Sequence, residues 1–88
     1  MAWTIEYAKT ARDQLRKLDK AIARRIVEFI EKRVALRDNP REIGKALSGP
    51  LGDLRAYRVG DYRILCDIRD GVLTILVLQV GNRREVYR

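Results

Sequence analysis

Histidine is missing from the chain altogether, and cysteine occurs once, at Cys66. The first absence removes the side chain that most often serves as a general base near neutral pH and as a metal ligand. The second removes any internal disulfide, and the two together argue against a zinc site. A lone cysteine with no histidine to activate it is a poor nucleophile. Cys66 lies in Tyr62-Arg63-Ile64-Leu65-Cys66-Asp67-Ile68, where alternate positions are mostly apolar, and it reads as a small core residue. Apolar runs are too short to cross a bilayer. Met1 to Tyr7 has neither the basic start nor the apolar stretch of a secretory leader, so the chain is expected to be cytoplasmic. Lysine is also absent from Leu54 onward, although Lys9, Lys17, Lys20 and Lys32 occur earlier.

What stands in its place is arginine. The last part of the chain carries Arg55, Arg58, Arg63, Arg69, Arg83, Arg84 and Arg88, interleaved with Tyr57, Tyr62 and Tyr87. Guanidinium is permanently charged, grips phosphate through a planar fork and stacks on bases, which an ammonium group does not. A formal net charge of +7 and a pI near 10.1 add a polyanion, above all RNA, as the partner to test, with an acidic protein inhibitor beside it. At 88 residues the chain is expected to form one domain, 1–88, burying roughly 60% of its unfolded surface.

Periodicity predicts the elements. Trp3, Ile5 and Tyr7 alternate with polar residues and predict a first strand. Thr10 and Asp13 resemble a capping box for a short helix with Ala11, Leu15 and Leu18 on its inner side. Asp19 can cap a second helix facing inward with Ile22, Ile26, Phe29, Ile30 and Val34, ended by Asp38-Asn39-Pro40. Residues 39–53 read as a turn-rich connector. Three strands follow: Leu54 to Val59, Tyr62 to Arg69 and Val72 to Val80, joined at Gly60-Asp61 and Asp70-Gly71. The third is apolar on both faces, as expected of a strand covered on two sides. The expected fold class is α+β: an N-terminal strand, an antiparallel helix hairpin, then an antiparallel meander. Arg63 should emerge on the face opposite Ile64, Cys66 and Ile68. Its bland reading is a surface residue paired with Asp67.

Two runs then carry a resemblance. Leu54-Arg55-Ala56-Tyr57-Arg58-Val59-Gly60-Asp61-Tyr62-Arg63 and Val80-Gly81-Asn82-Arg83-Arg84-Glu85-Val86-Tyr87 resemble the RelE-type toxins of the RelE/ParE superfamily, over nearly the whole chain. The resemblance implies the toxin of a type II toxin–antitoxin system, an endoribonuclease that enters the ribosomal A site and cuts messenger RNA without metal or cofactor. In that chemistry the 2′-hydroxyl attacks the adjacent phosphate, leaving a cyclic phosphate and a free 5′-hydroxyl. It implies a cognate antitoxin, the ribosome and mRNA as partners, and no membrane. Carried over by position, Arg63 matches the arginine that stabilises the transition state, Arg83 the arginine near the leaving oxygen, and Tyr87 the tyrosine at the scissile bond. Arg55 corresponds to a phosphate-binding residue, with Tyr57, Arg58 and Arg84 on the same substrate-binding side.

The chain departs from its relatives at two places: Tyr57 stands for a lysine suggested as general base, and Asn82 for a frequent histidine. Arginine titrates above ~12 and tyrosine near ~10, so proton transfer falls to Glu85 or a perturbed tyrosine. Two other functions remain open on these residues: a ParE-like inhibitor of DNA gyrase, and an RNA- or protein-binding module that does not cleave.

Overall fold

In the computed structural model, residues 3–47 and 54–82 are described. Strand β1 (Thr4–Tyr7) leads into helices α1 (Lys9–Lys17) and α2 (Lys20–Phe29), and α2 continues as a π-helical turn over Ile30–Val34. A 3-10 turn (Pro40–Glu42) precedes β2 (Lys45–Leu47), and β3 (Leu54–Val59), β4 (Tyr62–Arg69) and β5 (Thr74–Asn82) complete one five-stranded sheet. Its order is β1-β5-β4-β3-β2, with β1 parallel to β5 and the remaining pairs antiparallel. The expected α+β class is therefore the observed one.

The core lies between the helix pair and one face of the sheet. Ile26, Ile30 and Val34 are fully buried against Tyr57, Ile64, Cys66, Ile75, Val77 and Val80, with Leu15, Leu18, Ile22 and Phe29 packed around them. Positions four apart drift around an α-helix; the wider π turn, closed by the Ala35 N–H donating to Ile30 O at 2.8 Å, returns Val34 to the sheet. Only Leu18 and Asp19 separate the helices, so they fold back on each other.

Four local expectations are corrected. Thr10 and Asp13 form no capping box: α1 starts two residues earlier, after Ala8, and the Asp13 carboxylate is held by Lys9 at 3.1 Å and Arg16 at 3.7 Å. Asp19 does occupy the N-cap of α2, but its side chain makes no capping bond. The connector contains a strand, because Lys45–Leu47 pairs with Leu54–Ala56. β5 begins at Thr74, since Asp70–Val72 form a 3-10 turn and Leu73 adopts a left-handed backbone at φ 47°.

β5 is an interior strand of the sheet yet not covered on both faces. Leu65 pairs with Gln79 and Cys66 with Val77, a bulge that skips Leu78. One extra residue reverses the in–out alternation. Val77 and Val80, three apart, thus both face the helices, while Leu76 and Leu78 stay half-buried. Beyond the end of β1 the Val80 N–H donates instead to Gln14 Oε1 at 2.6 Å, tying α1 to the strand.

Candidate nucleic-acid site

Alternation along the β3–β4 hairpin decides which arginines can meet a ligand. Tyr57 pairs with Ile64 and Arg55 with Cys66, all on the helix side; Arg58 and Arg63 pair directly opposite each other on the other side. The hairpin closes in two residues, with Gly60 at φ 59°. On β5 the position opposite Arg63 is Gly81, which carries no side chain. Like charges directly opposite each other destabilise a sheet, and an anion between them reverses the sign of that interaction.

These two arginines line a cavity of about 340 Å³ together with Lys45, Ala56, Gly44, Tyr57 and Phe29. It opens where β2 begins: Lys45, the first residue of β2, pairs with Ala56, leaving the edge of β3 from Tyr57 onward without a neighbouring strand among the described residues. Among the described residues three cations and no carboxylate line it, with the Phe29 ring as an apolar wall. Arg58 is exposed, with Nε donating to Gly60 O at 3.2 Å; Arg63 is half-buried. Asp67, the expected companion of Arg63, instead accepts from Arg69 Nε at 3.1 Å.

Two residues expected at the substrate are turned to other work. Tyr57 keeps only 1% of its surface exposed and donates its hydroxyl to Pro40 O at 2.7 Å, with its ring edge-on to Phe29 at 6.2 Å. Burial pushes its pKa above the ordinary tyrosine value, the Cys66 thiol adds to the rise, and Arg55 opposes it. The shift moves Tyr57 away from acting as a neutral-pH base, so the residue shapes the inner cavity wall instead. Arg55 spends its guanidinium on the backbone behind the cavity, donating Nε to Ile43 O at 3.1 Å and Nη2 to the carbonyls of Arg41 and Gly44. Side-chain alternation explains both corrections, because odd positions of β3 point inward. Arg83, Arg84, Glu85 and Tyr87 lie outside the described residues.

Lys45 and Phe29 are the lining residues that sequence reasoning missed. Lys45 sits in a strand of three residues hidden among turn signals, too short to show a period, and Phe29 reads from periodicity alone as core. The lone cysteine is inert by position: Cys66 is fully buried, and desolvation pushes its thiol up to about 12. No helix of the described residues is long and apolar enough to cross a membrane.

A small α+β domain with a basic cavity at the β3 edge of its sheet is the class that fold and site define, and comparison with known proteins narrows it. Residues 5–87 match the family model described as the ParE toxin of the type II toxin–antitoxin system parDE. Toxin RelG of Mycobacterium tuberculosis is 36% identical over 91 aligned residues, covering 100% of this chain and 99% of that protein. Toxin RelE of the same organism is 37% identical over 81 residues, covering 92% and 80%. Among solved structures, the RelBE2 toxin–antitoxin complex of M. tuberculosis superposes with a TM-score of 0.83 at 32% identity, covering 97% of this chain and 95% of the other. The isolated RelE toxin of E. coli, at 21% identity and a TM-score of 0.75, shares the fold over 98% of this chain and 92% of its own. The chain belongs to the RelE-type toxins of the RelE/ParE superfamily, the toxins of type II toxin–antitoxin systems.

Proposed function

We propose that this toxin is a ribosome-dependent endoribonuclease that cuts messenger RNA in the A site without a metal or cofactor. The observation that carries the proposal is the Arg58–Arg63 pair, opposed in register at the mouth of a cavity where the described lining holds three cations and no carboxylate. In cleavage the 2′-oxygen bonds to the adjacent phosphorus, the bond from phosphorus to the 5′-oxygen breaks, and negative charge grows on the phosphoryl oxygens. Arg63 stabilises that charge and Arg58 holds the backbone, a preorganised arrangement whose value lies in the transition state. Arg83 neutralises the leaving oxygen, Tyr87 packs at the scissile nucleotide, and Arg84 binds the flanking backbone. Tyr57 being committed to Pro40, proton transfer rests with Tyr87 or Glu85.

The partners proposed with this activity are mRNA on the ribosome and a cognate antitoxin. The RelBE2 structure and the RelE–RelB structure from Pyrococcus horikoshii, the latter with a TM-score of 0.76 at 29% identity, are toxin–antitoxin complexes, and they support an antitoxin here. The site of action is the cytoplasm. Brief expression without antitoxin, followed by mapping of transcript 3′ ends, tests the reading: cuts inside codons are expected, and only in messages that are translated. Intact messages together with trapped gyrase–DNA breaks would transfer the chain to the activity of the ParE branch, whose name the matching family model bears. Intact messages without such breaks would leave a module that binds and does not cleave.

A further inference from the structure

We propose that Lys45 is a substrate-contacting residue, the third cation on the RNA phosphate beside Arg58 and Arg63; this rests on the ribonuclease reading of the same cavity. Lys45 opens β2 directly opposite Ala56, and Ala56 lies two residues from Arg58 on the same face of β3. All three cations therefore share one side of the sheet and line one cavity. No carboxylate among the described residues pairs with Lys45, although Lys9, Arg16, Arg41 and Arg69 all have acidic partners.

The backbone leading into Lys45 is held from three directions. Arg55 bonds the carbonyls of Arg41, Ile43 and Gly44; Tyr57 bonds that of Pro40; and Arg41 grips both carboxylate oxygens of Asp70, at 2.9 and 2.8 Å. Gly44 takes φ 82°, and a Cβ there would lie 2.7 Å from Ala56 O and 2.8 Å from the Tyr57 ring. The chain behind Lys45 thus lies flat against β3, so that only the side chain's own freedom is lost when it meets a phosphate. Arg55 acts through this clamp as a positioning residue.

The rival reading of Lys45 is a solubility charge, since lysine on an edge strand deters pairing with other chains. Lysine footprinting separates the two. The full chain is acylated with and without a single-stranded 2′-O-methyl RNA oligonucleotide, which lacks the attacking hydroxyl, and modification is read by peptide mass spectrometry. Lys9, Lys17, Lys20 and Lys32 all lie on the helical segment and serve as internal controls. Lys45 is expected to be protected several-fold more than those four, Lys45→Gln to weaken oligonucleotide binding, and Lys45→Arg to restore it. Protection of Lys45 no greater than that of the helix lysines, or undiminished binding by Lys45→Gln, overturns the proposal even where the toxin cleaves messages. Selective protection in a toxin that cuts no message would sustain the Lys45 contact while the ribonuclease reading falls. A wild-type chain with no affinity for the oligonucleotide overturns the Lys45 proposal, and the ribonuclease reading is then decided by the transcript 3′ ends alone.

Discussion

Tyr57, expected on the substrate-binding side, is buried and bonded to the connector. Its hydroxyl fastens the connector at Pro40 and its ring walls the cavity, so Tyr57→Phe removes one hydrogen bond and leaves a buried carbonyl unpaired. Such a loss costs about 1–3 kcal/mol; denaturant titration should find it, with cleavage falling only as far as the connector loosens. Burial also ties stability to alkaline pH. Tyr7 and Cys66 are each raised to about 12, the first by desolvation and then Glu31, the second by desolvation and then Asp67, and Tyr57 is raised as well. A group whose folded pKa is raised gives stability that is whole below its unfolded pKa and is lost as pH climbs through the folded one. Unfolding free energy should therefore decline from roughly pH 9–10 upward, where unfolded cysteine and tyrosine begin to ionise. A flat profile between pH 8 and 11 would contradict the burial of Tyr57 and Cys66 and the partial burial of Tyr7. In the native state Cys66 should resist iodoacetamide until the chain is unfolded.

At the scale of elements, the connector from Asn39 to Leu47 links the helices to the site. Gly44→Ala meets both obstacles at once: a left-handed backbone costs a residue with a Cβ about 1–2 kcal/mol, and the new methyl presses on backbone rather than on a movable side-chain tip. A stability loss above about 2 kcal/mol is expected by denaturation, together with reduced RNA protection of Lys45. If Gly44→Ala is as stable as wild type, the close approach of connector to β3 is wrong. This segment is also where sequence reading lost resolution. Long periods were legible: Ile26, Ile30 and Val34 declared the inner face of α2, and Ile64, Cys66 and Ile68 that of β4. The opposition of Arg58 and Arg63 follows from the Gly60-Asp61 turn, which sets hairpin register. A three-residue strand has no period to read, a bulge at Leu78 cancels alternation from within, and an arginine bonded to carbonyls resembles, in sequence, an arginine waiting for phosphate.

Over the whole molecule the charge is not where the arginine-rich sheet would lead one to place it. Residues 9–37, the helical layer, hold ten Lys or Arg against four Asp or Glu, a net +6 of the chain's +7. The rest of the chain is nearly balanced, with nine Lys or Arg against eight Asp or Glu, and the described residues lining the cavity include three cations and no carboxylate. Bulk affinity for RNA depends on total phosphate neutralisation and is steeply salt-dependent, whereas cleavage depends on a few charges at the reacting phosphate. The two should separate on mutation. Arg63→Gln is expected to lower cleavage by about 10²–10³-fold, the usual cost of one preorganised donor, while RNA affinity at low salt falls only slightly. Neutralising Arg24 and Arg25, exposed on α2, should do the reverse: weaker, less salt-sensitive association with ribosomes, and an unchanged rate once bound. Pre-steady-state cleavage on programmed ribosomes, measured beside ribosome pelleting across a salt series, distinguishes the effects. Equal losses of affinity and rate in both variants would mean that the helical charge and the cavity act as one surface, and the division of labour argued from their separate layers would fail.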